Sequence, residues 1–121
     1  MSILSILMVD DSRILLNIQR NLVAHLGHEV TAVDSAQAAL VVMKQRHFDL
    51  ILMDMQMPVM DGLQATQAMR AMGISTPIIA LTGNDSVEDQ QRCQQQGMNG
   101  FLTKPLKPAA LSVVIAQLGL G

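Results

Sequence analysis

The sequence predicts an α/β domain made of five βα units, with an open parallel sheet of five strands covered by helices on both faces. Three observations carry that reading. Five short apolar runs punctuate the chain, and most lack polar alternation, as expected of strands buried on both faces of a parallel sheet. Each is followed by a longer segment with helical periodicity. The connections are short, and 121 residues are too few for an eight-unit barrel of about 250. Repeated βα units then leave the doubly wound open sheet.

The first strand is Ile3–Val9. The segment 12–26 follows, with Ile14, Ile18, Leu22 and Leu26 on one stripe and Leu15 beside it, and stops at Gly27. The second strand is Glu29–Val33, and the segment 35–46 opens on Ser35 as an N-cap and repeats Ala36, Ala39, Leu40 and Met43. The third strand is Leu50–Met53, and the segment 62–72 repeats Ala65, Ala68, Met69 and Met72 before Gly73. The fourth is Ile78–Leu81, followed by the segment 86–96, which opens with the capping-box pattern Ser86-Val87-Glu88-Asp89. The fifth is the very short Phe101–Leu102, and the segment 108–118 starts at Pro108, suited to a first helical position, and repeats Leu111, Val114, Ile115 and Leu118. Five strands in this class take the order 2-1-3-4-5, the flavodoxin-like arrangement.

Composition narrows the function. Half the residues are apolar and 15% are charged, which is not the composition of a disordered chain. No linker or repeat divides the sequence, so residues 1–121 are expected to form one domain. A net charge of −2 argues against direct nucleic-acid binding, and Phe48 and Phe101 are too few aromatics for a base-stacking platform. Cys93 stands alone, which excludes an internal disulfide and a cysteine-based zinc site. The apolar runs fall well short of the ~18 residues of a membrane span. The start Met1-Ser2-Ile3-Leu4 lacks the positive region of a signal peptide, so a cytoplasmic location with no membrane partner is expected.

Ligands of such sheets bind outside the carboxyl ends of the strands, at the switch point in strand order. The first strand ends in Asp10-Asp11, the third in Asp54, the fourth in Thr82-Gly83 and the fifth in Thr103-Lys104-Pro105. Three carboxylates, a hydroxyl and an ammonium are therefore expected on one rim. Two carboxylates about 4 Å apart repel by roughly 4 kcal/mol at an effective dielectric of 20, so such a trio calls for retained protons or a cation. A hard divalent ion with oxygen ligands, Mg²⁺, fits; no histidine is placed near the rim for zinc. Lys104 suits a phosphate oxygen, Thr82 offers a hydrogen bond, and Gly83 leaves the backbone open. Together these describe a phosphoryl-transfer site in which a carboxylate can be the nucleophile. Asp54, alone at a central strand, is the candidate acceptor, with Asp10 and Asp11 on the metal.

Four stretches carry a family resemblance: Ile6-Leu7-Met8-Val9-Asp10-Asp11-Ser12, Asp49-Leu50-Ile51-Leu52-Met53-Asp54-Met55-Gln56-Met57-Pro58-Val59-Met60-Asp61-Gly62, Thr76-Pro77-Ile78-Ile79-Ala80-Leu81-Thr82-Gly83, and Phe101-Leu102-Thr103-Lys104-Pro105. In this order and spacing they resemble the response regulator receiver domain of two-component signalling, and are similar to the receivers of hybrid histidine kinases and phosphorelays. The resemblance implies that Asp54 is the phospho-accepting aspartate, carried as a 4-aspartylphosphate. It implies that Asp10, Asp11, Asp54 and the Gln56 carbonyl surround Mg²⁺, that Thr82 and Phe101 are switch residues, and that Lys104 binds the phosphoryl group. It also implies a cis Lys104-Pro105 bond. The expected partners are a histidine kinase or histidine phosphotransfer protein and a downstream protein target or linked output domain. The expected activity is self-phosphorylation and slow dephosphorylation at Asp54, a switch more than turnover of an external substrate.

Other readings of the same residues are weaker. Asp11 or Ser12 also reads as a cap of the first helix, a role Asp10 does not share, and Asp61-Gly62 reads as a cap and a turn. A phosphatase of the haloacid-dehalogenase type needs a second Asp two residues after the first, where this chain has Gln56. A pseudo-receiver would lack the full set that is intact here. His25, His28 and His47 follow helices that run back from the rim, so the phosphoryl donor is expected to be another protein's phosphohistidine or an acyl phosphate. The segment 86–96 has little apolar surface and is weakly anchored, so phosphorylation is expected to draw Thr82 in, repack Phe101 and bias this helix.

Overall fold

The computed structural model describes residues 3–57, 60–83 and 87–120. In chain order the elements are β1 (Ser5–Val9), α1 (Arg13–His25), β2 (Glu29–Val33), α2 (Ala36–Gln45), β3 (Leu50–Asp54), α3 (Gly62–Ala71), β4 (Ile78–Thr82), α4 (Val87–Gln95), β5 (Gly100–Thr103) and α5 (Pro108–Gln117). All four strand pairings are parallel, in the order β2-β1-β3-β4-β5. This is the predicted fold, and it puts β1 and β3 side by side at the centre.

The alternating direction of strand side chains builds two cores. Ile6, Met8, Leu50, Leu52, Ile79 and Leu81 meet α1 and α5 through Leu16, Val23, Leu111 and Ile115. Leu7, Val9, Ile51, Met53, Ile78 and Ala80 meet α2, α3 and α4 through Ala39, Met69 and Cys93. Burying a large aliphatic side chain stabilises by roughly 1.5–3 kcal/mol, so β1, β3 and β4 form a rigid base for whatever their ends carry.

Local signals act as expected at most helix ends. Ser12 Oγ accepts from the Leu15 N–H and Ser35 Oγ from the Ala38 N–H, and Pro108 opens α5. Asp61 and Gln64 form a reciprocal capping box at the start of α3. The pattern at Ser86 lies outside the described residues. The strands end differently from the sequence reading: β1 starts at Ser5, β3 and β4 include Asp54 and Thr82, and β5 spans four residues. At the start of β1 the Leu4 N–H is taken by His28 Nδ1, and Ile3 is exposed.

The buried face of α1 needs a larger correction. Leu16, Gln19 and Val23 face the sheet, while Ile14 and Ile18 are 75% and 57% exposed. Leu22 and Leu26 only flank the core. The helix carries two apolar stripes, and periodicity cannot choose between them. The face that is buried is the one whose Leu16 and Val23 pack on the assembled sheet.

Candidate functional site at the carboxyl edge of the sheet

The ends of β1, β3, β4 and β5 each deliver a polar side chain to this edge. Asp10 follows β1, its N–H still bonded to the Val33 carbonyl at 3.2 Å. Asp54 is the last residue of β3, paired with Leu81, and Thr82 lies one residue beyond that pair. Lys104 follows β5, with its N–H on the Thr82 carbonyl at 2.7 Å and a cis bond to Pro105. The carboxylates of Asp10, Asp11 and Asp54 gather so that one oxygen of each lies within 4.8 Å of the others. Asp10 and Asp54 are buried, and Asp11 is exposed.

Hydrogen bonds orient the two buried members, Asp10 and Asp54, without neutralising the trio. Ser12 N–H donates to Asp10 Oδ1 at 3.0 Å, and Gln56 N–H donates to Asp54 Oδ1 at 3.2 Å. Lys104 Nζ donates to the same Asp54 oxygen at 2.9 Å. It also stands 3.4 Å from Asp10 Oδ2, near enough for charge attraction, but that buried oxygen has no hydrogen-bond partner among the described residues. One ammonium thus faces three carboxylates.

The ionisation of the central pair reflects this imbalance. Burial pushes the Asp54 carboxyl above its ordinary 3.8; the Lys104 and Gln56 hydrogen bonds oppose the rise, and the Asp10 charge adds to it. For Lys104 burial acts downward, but the hydrogen bond to Asp54 and the charges of Asp54 and Asp10 together outweigh it and leave its pKa raised. Burial thus works against the Asp54 anion, while the acidic neighbours favour the Lys104 cation. The donors are all oxygen, one buried oxygen has no hydrogen-bond partner among the described residues, and no histidine or cysteine joins the cluster. That set fits a small hard divalent cation.

Gly62 supports the site in a way the sequence reading passed over. A Cβ built on it would lie 2.5 Å from the Asp54 carbonyl and 3.1 Å from Met55 Cα. Only a hydrogen fits between the start of α3 and the end of β3. The Asp61-Gly62 pattern predicts a cap and a turn; the cap is present, and the close approach at Gly62 is an added requirement.

Thr82 and Phe101 lie on the other face of the sheet from the acidic pair. Strand alternation sets Asp54 with Leu50 and Leu52, whereas Thr82 follows Ala80, which pairs with Phe101. Thr82 and Phe101 together line a cavity of about 240 Å³ beside α4, with Gln56, Asp61 and Cys93. Gly83 is exposed, with nothing among the described residues within 4 Å of the place a Cβ would take. Cys93 is buried, and burial pushes its thiol pKa up, which keeps it unreactive. His28 bonds Leu4 and His47 stands 3.9 Å from Asp49, both ahead of strands and hence at the opposite edge.

Comparison with known proteins agrees with this architecture. The sequence profile of the response regulator receiver domain matches residues 6–116. The chain is 41% identical over 117 residues to the sensor protein GacS of Pseudomonas syringae pv. syringae, covering 93% of this chain but only 13% of that protein. The receiver domain of sensor histidine kinase PA1611 from Pseudomonas aeruginosa, solved with a magnesium ion coordinated in its active-site cleft, superposes with a TM-score of 0.85 at 36% identity, covering 96% of this chain and 97% of that one. The chemotaxis protein CheY4 of Vibrio cholerae superposes with a TM-score of 0.89 at 30% identity, covering 96% and 98%. The chain belongs to the response regulator receiver domain family, the receiving modules of two-component and phosphorelay signalling.

Proposed function

We propose that the chain is a phosphorylation switch in which Asp54 accepts a phosphoryl group from a phosphohistidine donor in the presence of Mg²⁺. The observation that carries this reading is the Asp10–Asp11–Asp54 cluster held against Lys104 at the edge of the sheet. An Asp54 oxygen attacks phosphorus, the P–N bond to the donor imidazole breaks, and that nitrogen leaves with its electron pair and takes a proton. The product is an acyl phosphate on Asp54. Lys104, already bonded to Asp54 Oδ1, is placed to hold an oxygen of the incoming group. The Ser12 and Gln56 N–H groups keep Asp10 and Asp54 aimed into the site. Asp10, Asp11, Asp54 and the Gln56 carbonyl would hold Mg²⁺, which offsets negative charge as the phosphoryl group transfers. Thr82 and Phe101 would report the change toward α4 and a downstream protein or linked output domain, since both line the cavity on that side.

The donor is another protein, a histidine kinase or histidine phosphotransfer protein, because the chain's described histidines lie at the far edge. Ile14, Leu15 and Ile18 form an exposed apolar stripe on α1, which starts beside Asp11. A partner helix resting there would bring its histidine to Asp54. Mass spectrometry after incubation with acetyl phosphate and Mg²⁺ should show one added phosphoryl group, absent in Asp54→Asn. Equal labelling of both would place the acceptor elsewhere. Among the described residues no helix is long and apolar enough to cross a membrane.

A further inference from the structure

A charged pair flanks the acidic cluster on the side away from Lys104. Arg13 is the first residue of α1, and its Nη2 stands 3.5 Å from Oδ2 of Asp34, which follows β2. The Asp10 N–H bonds the Val33 carbonyl, so Asp34 belongs to the same carboxyl edge. Across that edge the order is Asp34, then Asp10 and Asp11, then Asp54, Thr82 and Lys104. Neighbouring strands lie about 4.8 Å apart, which puts the end of β2 roughly 10 Å from the end of β3.

The two cations of this edge are held unequally. The Lys104 side chain is 22% exposed and bonds Asp54 at 2.9 Å. The Arg13 side chain is 85% exposed and meets Asp34 through one nitrogen, at a distance long for a charge-assisted bond. Exposed pairs of this kind are worth about 0–1 kcal/mol. Position also works against Arg13. It adds positive charge to the positive end of the α1 dipole, and the first turn of α1 holds no acidic residue to offset it. The pair lines a groove of about 370 Å³ with Leu16, Asn17, Val33 and Ala38, so the guanidinium has room to leave Asp34. Arg13 is a loosely held cation beside a cluster in which carboxylates outnumber cations.

We propose that Arg13 is a donor-specificity residue: it draws small dianionic phosphoryl donors, the acyl phosphates, to the mouth of the Asp54 site, and Asp34 restrains it. This role rests on the phosphorylation reading above and concerns which donors reach that site. An acyl phosphate approaches carboxylates of its own sign, and Lys104 is already bonded to Asp54. A cation about 10 Å away acts within the Debye length of about 10 Å at 0.1 M salt, and is screened out at 1 M, where that length is about 3 Å. In the transfer an Asp54 oxygen bonds phosphorus, the P–O bond to the acyl oxygen breaks, and the carboxylate leaves with that electron pair. Arg13 takes no part in this step; it changes how often the donor arrives.

Initial rates of labelling by low concentrations of acetyl phosphate with Mg²⁺ test it, in the native chain, Arg13→Gln, Asp34→Asn and the double variant. In dilute buffer Asp34→Asn should label about threefold faster than the native chain, and Arg13→Gln about twofold slower. In the Arg13→Gln background Asp34→Asn should gain less than about 1.5-fold, because no restrained cation is left to release. All these differences should vanish in 1 M KCl. Phosphoramidate, which carries less net negative charge at pH 7, should gain less from Asp34→Asn than acetyl phosphate does. Equal rates in the native chain and Asp34→Asn, an undiminished gain in the Arg13→Gln background, differences that survive 1 M KCl, or equal gains with both donors overturn the role of Arg13. A native chain that takes up no phosphoryl group, or one that Asp54→Asn matches in labelling, instead overturns the phosphorylation reading and the donor role with it.

Discussion

Asp54 carries its charge where little water reaches it, beside another buried carboxylate and one lysine. A carboxyl whose pKa is raised by folding favours the fold while protonated. That contribution is present below its ordinary 3.8 and is lost as pH rises through the folded value. Without a divalent cation, native and Asp54→Asn chains should therefore melt alike near pH 3.5. The variant should become the more stable by about 1 kcal/mol as pH rises to 7. Melting curves in chelator across that range check the sign. Gly62 sets a steric limit at the same place. Gly62→Ala forces a methyl against the Asp54 carbonyl and should cost about 1–3 kcal/mol in urea unfolding, together with slower labelling by acetyl phosphate.

At the level of elements, α1 shows how a helix can satisfy its pattern with either of two faces. Leu16, Gln19 and Val23 hold it to the sheet, which releases Ile14, Leu15 and Ile18 to the surface. Burying Gln19 while exposing two isoleucines is not what the hydrophobic effect alone would choose, and the released stripe is the docking face proposed above. Ile14→Ser and Ile18→Ser should change stability by no more than about 0.5 kcal/mol. Each should slow phosphoryl transfer from a phosphohistidine protein about tenfold more than it slows labelling from acetyl phosphate. Equal slowing of both would remove the docking role from this face. The third and fourth helices are linked at one end by Arg70, which the 3.6-residue pattern reads only as a polar position in the last turn of α3.

For the whole molecule, the site is a place where folding gathers charge that binding must offset. A cation that binds only the folded chain stabilises it by mass action, about 2.7 kcal/mol at a hundredfold excess over its dissociation constant. Saturating Mg²⁺ should raise the melting temperature of the native chain by several degrees and leave Asp10→Asn nearly unmoved; calorimetry with and without chelator measures both. An equal rise in the two would show that the ion acts elsewhere.

Strand count, strand order and the residues at the strand ends were legible in the one-dimensional pattern, because a parallel sheet buried on both faces demands unbroken apolar runs and leaves only their carboxyl ends to carry polar groups. The rotation of α1, the hydrogen-only gap at Gly62 and the Arg70 link between α3 and the end of α4 were not. Each depends on the distance between segments far apart in the chain, and local periodicity holds no information about that distance. Sequence alone determined which chemical groups would meet at the edge of the sheet. Only the tertiary structure decided how tightly they are pressed together, because their spacing is set by the packing of α3 on β3 and of α1 on the central strands.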